Sequence, residues 1–151
     1  MLSADYIIGL VDGEGSFSVR IPNKTRRSKV ELTFSLKLRH QDKEILYRLQ
    51  KFFDCGNIYI QRDKRKNHSL CYRFEVHNKK DIIEKIIPFF EENSPKIQSR
   101  KRDFELFKQI AKFSQSTFID LEKIKILKDQ MHWGLAVYGK TVRTVGTSVT
   151  N

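Results

Sequence analysis

Between residues 29 and 39 apolar and polar side chains alternate without a break. Val30, Leu32, Phe34, Leu36 and Leu38 fall on one side, and Lys29, Glu31, Thr33, Ser35, Lys37 and Arg39 on the other. A period of two predicts a strand with one buried face and one polar, mostly cationic face. The same alternation appears earlier, in Phe17, Val19 and Ile21 against Ser18 and Arg20. It returns twice later: Ile58 and Ile60 inward with Tyr59 and Gln61 outward over 57–62, then Tyr72, Phe74 and Val76 inward with Cys71, Arg73 and Glu75 outward. Helical spacing fills the gaps. Ser3 is placed to cap a helix over 4–13. Asp42 is placed to cap a second, whose apolar stripe is Ile45, Leu46, Leu49, Phe52 and Phe53 and which Gly56 ends. Asn78 caps a third, carrying Ile82, Ile83, Ile86 and Ile87, which Pro88 closes. Two more helices are predicted, over 100–113 (Phe104, Phe107, Ile110, Ala111) and 117–131 (Phe118, Leu121, Ile124, Leu127, Met131).

A strand–strand–helix unit therefore occurs twice after one leading helix. The expected fold class is α+β: an antiparallel sheet with helices on one face and the other face open. Residues 133–151 show no period and contain Gly134, Gly139 and Gly146. The chain thus reads as one domain over 1–131 and a C-terminal tail over 132–151. A domain of this size buries roughly 70% of the surface its unfolded chain exposes, enough for a core.

Charge sharpens the picture. Residues 20–43 carry a net +6 and residues 57–80 a net +5, together the whole formal net charge of +11. A solubilising surface would scatter its charge. Two segregated windows, each spanning a strand pair and its loop, look like a footprint for phosphate. No segment is a basic amphipathic helix of the kind that lies on membranes, and no apolar run approaches the ~18 residues of a membrane span. Cys55 and Cys71 form neither a CxxC pair nor a cluster with histidine, which argues against zinc and for reduced thiols. His40, His68, His77 and His132 are scattered without metal-ligand spacing, and no chemistry is assigned to them.

The chemistry sits at the end of the first helix. Tyr6-Ile-Ile-Gly-Leu-Val-Asp-Gly-Glu-Gly15 places two acids between glycines where a helix runs into a strand. The C-terminal end of a helix is already negative and favours a cation there. An acid held at that end of a basic chain suggests a metal presented to a polyanion. This segment resembles the LAGLIDADG motif of homing endonucleases. The order of predicted elements is similar to that family's αββαββα core, with its curved antiparallel sheet, over about residues 4–113. Lys101-Arg-Asp-Phe104, opening a later helix, adds to the resemblance.

The resemblance implies a double-stranded DNA endonuclease that hydrolyses phosphodiester bonds at a long, nearly palindromic site and serves intron homing. One visible motif is similar to the homodimeric branch. Ile8, Gly9, Asp12 and Gly13 would then face a second copy, since glycine in mid-helix costs about 1 kcal/mol relative to alanine and close packing offsets it. Asp12 is implied to be structural. Glu14, with the Gly13 carbonyl, is implied to hold Mg²⁺, with Mn²⁺ or Ca²⁺ accepted at the same place; such an ion uses few protein ligands and completes its shell with water and phosphate. Arg100 and Lys101 are competing candidates for an active-site cation, and Gln41 for organising water. Direct readout falls to the polar strand faces, Ser18, Arg20, Lys29, Glu31, Thr33, Ser35, Lys37, Arg39, Tyr59, Gln61 and Arg73, because a two-stranded ribbon fits the major groove. Lys24, Arg26, Arg27, Lys64, Arg65 and Lys66 lie in loops and are expected on phosphate. The alternative is a relative that keeps the fold without cutting, a maturase on intron RNA or a DNA-binding regulator; intact Glu14 favours the enzyme. A basic ribosomal-type protein would explain the charge but not the Gly-Glu-Gly helix end. The start of the chain lacks the features of a signal peptide, so the expectation is a protein that is not secreted and acts in a mitochondrion or chloroplast, or in the cytoplasm of a bacterium or phage host.

Overall fold

The computed structural model describes residues 1–22, 29–62 and 70–132. Helix α1 (Ala4–Glu14) starts at Ser3, whose hydroxyl accepts from the Tyr6 N–H, and buries Ile7, Ile8 and Val11. It passes directly into strand β1 (Gly15–Arg20). That junction needs a glycine: a Cβ on Gly15 would lie 2.8 Å from the Val11 carbonyl oxygen and 2.9 Å from Val11 Cα. Strand β2 (Glu31–Arg39) and a 3₁₀ turn (His40–Asp42) lead into helix α2 (Lys43–Phe53). Strands β3 (Asn57–Gln61) and β4 (Cys71–Val76) follow. Next comes a helical run of α3 (Lys79–Asp81), a π turn (Ile82–Ile86) and α4 (Ile87–Glu92). Helices α5 (Gln98–Ser114) and α6 (Leu121–Gln130) complete it.

The α+β reading holds. The four strands form one antiparallel sheet in the order β1-β2-β4-β3. Helices α1, α2 and α5 pack on it. The inward residues of the alternation, Phe17, Val19, Leu32, Phe34, Leu36, Tyr72, Phe74 and Val76, are all buried. Phe17 is the hub, with the rings of Phe34, Phe90, Phe104 and Phe107 centred 5.2–5.4 Å away.

Several local expectations are corrected. Asp42 makes no side-chain cap bond, because the 3₁₀ turn has already curved the backbone that an N-cap must keep extended. Helix α2 ends not on Gly56 but on Asp54, which takes the left-handed conformation (φ 50°) that aspartate tolerates. Gly56 (φ 85°) instead opens β3, where a Cβ would meet the Phe74 ring at 2.6 Å. Pro88 does not close its helix. It lacks an N–H and crowds the carbonyl four residues back, and the π turn just before it widens the ladder to admit it near the start of α4. Ile60, expected inward, is 54% exposed, since β3 is an edge strand flanked on one side only. Phe118 is 90% exposed and precedes α6, which the Asp120 carboxylate caps later than the spacing suggested. Lys29 and Ile21 lie just outside the strands expected to contain them. His132, assigned to the tail, is tied to Asp103 by its backbone N–H; residues 133–151 lie outside those described.

Candidate nucleic-acid interface and catalytic end of the first helix

The outward residues of the sheet fall into cross-strand rows. Arg20 lies opposite Glu31 and Ser18 opposite Thr33. Ser16, Ser35, Glu75 and Asn57 share a row, as do Lys37, Arg73 and Tyr59. Arg39, Cys71 and Gln61 form the last. The structure thus brings most of the predicted readout residues onto one open face. Lys24, Arg26, Arg27, Lys64, Arg65 and Lys66 lie outside the described residues.

Two features of this face were not legible as separate residues. Arg20 and Glu31 hold each other through two hydrogen bonds of 2.8 Å, both side chains exposed. The ion pair raises the Arg20 guanidinium and lowers the Glu31 carboxyl from their ordinary values. In the free protein neither is an unengaged reader. At the centre of the face a chain of polar groups runs from Arg73 to Thr33. Arg73 Nη1 donates to Glu75 Oε1 at 3.1 Å. Glu75 Oε2 lies 2.6 Å from His77 Nε2, and His77 Nδ1 lies 3.0 Å from Thr33 Oγ1. Glu75 and His77 were not predicted to take part. The signal was available: 71, 73, 75 and 77 continue one outward-facing series.

The C-terminal end of α1 runs against what the helix dipole favours. Its last turn holds no basic residue, yet two acids sit there. Asp12 is satisfied within the chain, both oxygens accepting the Lys96 backbone N–H (3.2 and 3.0 Å). It therefore ties the end of α1 to the connection that starts α5. The Glu14 carboxylate, exposed at the last helical position, makes no hydrogen bond or ion pair with another described residue. Among the described residues no three His, Cys, Asp or Glu side chains gather to hold a metal ion. Glu14 and the Gly13 carbonyl fit an ion such as Mg²⁺ whose shell is finished by phosphate and water.

Helix α5 begins without a side-chain cap and without an acid in its first turn. Such an end favours an anion. Lys101 is exposed there. Arg100 is half-buried, and its Nε is the one buried side-chain nitrogen or oxygen lacking a hydrogen-bond partner among the described residues. One turn on, buried Asp103 accepts the His132 backbone N–H at 2.9 Å and pairs with its ring at 3.0 Å. Burial pushes the Asp103 carboxyl up, but His132 and the nearby Arg100 charge outweigh it and hold it below its ordinary value. Gln41 is exposed in the 3₁₀ turn after β2. The Cys55 thiol is pushed up to about 11, chiefly by burial.

The model of the LAGLIDADG endonuclease family matches residues 7–111. The chain belongs to the LAGLIDADG endonuclease family. It is 34% identical over 105 residues to a probable intron-encoded DNA endonuclease 1 of Mycosarcoma maydis, covering 70% of this chain and 35% of that protein. It is 32% identical over 136 residues to a probable intron-encoded endonuclease 3 of Neurospora crassa, covering 85% of this chain and 24% of that one. The chain thus spans about a third or less of the length of these curated relatives. Among solved structures it resembles the homing endonuclease I-TnaI, with TM-score 0.73 and 30% identity over 87% of this chain and 88% of that chain. It also resembles the LAGLIDADG homing endonuclease I-SmaMI bound to cleaved DNA, with TM-score 0.73 and 28% identity over 87% of this chain and 44% of that chain. A further I-SmaMI structure, bound to uncleaved target with calcium ions, matches with TM-score 0.73 and 28% identity over 85% of this chain and 44% of that one. Membership accords with the repeated strand–strand–helix unit. No helix among the described residues is long and apolar enough to cross a membrane.

Proposed function

We propose that this chain is a DNA endonuclease domain that acts as a homodimer, cutting both strands of a long, nearly palindromic site by divalent-metal-dependent phosphodiester hydrolysis. The observation that carries the reading is Glu14: an exposed, unpaired carboxylate at the negative end of α1, one residue before the strand that opens the polar sheet face. The similarity to intron-encoded endonucleases and to a homing endonuclease bound to cleaved DNA supports it.

In this mechanism the sheet face reads the major groove, and Glu14 with the Gly13 carbonyl would hold Mg²⁺. The bound ion supplies charge neutralisation and activation of water. The first turn of α5 supplies a cation toward charge growing on the phosphate, from exposed Lys101 or from Arg100. Asp12, by fixing Lys96, sets where that turn lies relative to Glu14. Gln41 orders water at the end of β2. Gly9 and Gly13, with Asp12 beside them, face the second copy, which brings the two Glu14 side chains near a common axis; Ile8, expected there as well, is buried in this chain's own core. The domain spans 1–131, and the fungal, intron-encoded character of the relatives supports action in an organelle.

The test is cleavage of a plasmid library of randomised and genomic sites, with Mg²⁺ and with EDTA. Metal-dependent cutting at one long two-fold site is expected. Glu14→Gln should abolish cutting while leaving DNA binding largely intact; retained cutting removes Glu14 from the mechanism. Binding of DNA only as a monomer removes the shared-site arrangement.

A further inference from the structure

The polar chain at the centre of the sheet face has a direction. Glu75 is a carboxylate whose side chain is only 15% exposed, held by Arg73 on one oxygen and facing His77 Nε2 on the other. A carboxylate only accepts, so the His77 proton belongs on Nε2. When the ring carries that one proton, Nδ1 is a bare lone pair, and the Thr33 hydroxyl, 3.0 Å away, donates to it. Thr33 is thereby left with lone pairs only toward the groove. Sheet register produces this arrangement: Phe34 pairs with Val76, so the next step along both strands sets Thr33 opposite His77.

We infer that His77 and Glu75 are positioning residues for specificity, fixing the Thr33 hydroxyl as an obligate acceptor that selects a base amino group, cytosine N4 or adenine N6, at one position of each half-site. This rests on the proposed DNA-cleaving function and adds to it the polarity of one contact. A threonine with a free hydroxyl reads donors and acceptors alike. The relay removes that ambiguity. Arg73 is in consequence partly committed to holding Glu75, and its reading of guanine is secondary at this row.

The experiment profiles binding and cleavage over a library carrying every single-base substitution of the target. Wild type should prefer an amino-bearing base at the Thr33 position by roughly 2- to 10-fold, the range of one hydrogen bond. His77→Phe removes the acceptor and should flatten that preference at this position alone. Glu75→Gln, which lets the ring proton move to Nδ1, should flatten it in the same place. Thr33→Ser should keep the preference and Thr33→Val should lose it; His77→Phe added to Thr33→Val should then change nothing further. Wild type that cuts a defined site, with His77→Phe unchanged there or altered at a different position, overturns the relay and leaves the endonuclease reading standing. Wild type that neither binds nor cuts DNA overturns the function beneath it. Should His77→Phe fail to fold, His77→Leu, read by the same profile and expected to flatten the same position, decides between these outcomes.

Discussion

Gly9 sits in the middle of α1, and a Cβ built on it meets nothing within 4 Å. Within one chain, therefore, Gly9→Ala should stabilise. Alanine exceeds glycine by about 1 kcal/mol in a helix interior, which raises the melting temperature of a chain this size by roughly 2–4 °C. In a dimer that packs α1 against its symmetry mate the sign reverses. Overpacking one close contact costs about 1–3 kcal/mol, and two-fold symmetry introduces the methyl twice. Association would then weaken by roughly 30-fold or more, at a tenfold change for each 1.4 kcal/mol. The assay is sedimentation equilibrium together with thermal unfolding at protein concentrations spanning the dissociation constant. The variant should be more stable than wild type when dilute and less associated when concentrated. A variant that is more stable and dimerises as tightly as wild type would refute Gly9 as an interface residue and place the two-fold contact elsewhere. Gly13→Ala, also facing open space in the single chain, should follow the same pattern.

Gly15→Ala should lower stability by about 1–3 kcal/mol, because its Cβ would meet Val11 backbone atoms at 2.8 and 2.9 Å; equilibrium denaturation checks this, and an unchanged midpoint would show that the helix-to-strand junction relaxes freely. Glu31→Gln should free Arg20 from its ion pair, strengthening DNA binding and steepening its salt dependence, measurable by titration at several salt concentrations. The Asp103–His132 pair predicts a pH window. The lowered Asp103 carboxyl contributes stability that is complete above its ordinary value of 3.8 and is lost as pH falls through its folded value. His132 is raised by its bond to Asp103, so its contribution is complete below its ordinary value of 6.5 and is lost as pH rises through the folded value. Denaturation midpoints between those limits should exceed those outside them, and His132→Ala should erase the alkaline fall.

The strands and helices were legible because burial of one face imposes a local period. Val30 through Leu38 announced β2, and Ser3 and Asn78 cap their helices as their positions suggested. Misreadings cluster where a neighbour in space overrode a local rule. Pro88 is admitted by a π turn, Asp54 rather than Gly56 takes the left-handed stop, and Ile60 loses its cover because β3 ended up at the sheet edge. Of the site, the Asp-Gly-Glu-Gly helix end and the cationic strand faces stood out, since acids at a negative helix end and segregated charge are themselves unusual.

The sequence alone determined the α+β class, the two-fold recurrence of the strand–strand–helix unit, the buried aromatic face and the placing of Glu14 where a helix becomes a strand. Each depends on residues within a few positions of one another. Only the tertiary structure decided the strand order β1-β2-β4-β3, and with it which outward residues meet. Thr33 reaches His77 across 44 positions of sequence and Asp12 reaches Lys96 across 84. No local period encodes such partners. They are chosen by how the apolar faces of sheet and helices stack, and the polar groups carried with those faces take the neighbours that stacking leaves them.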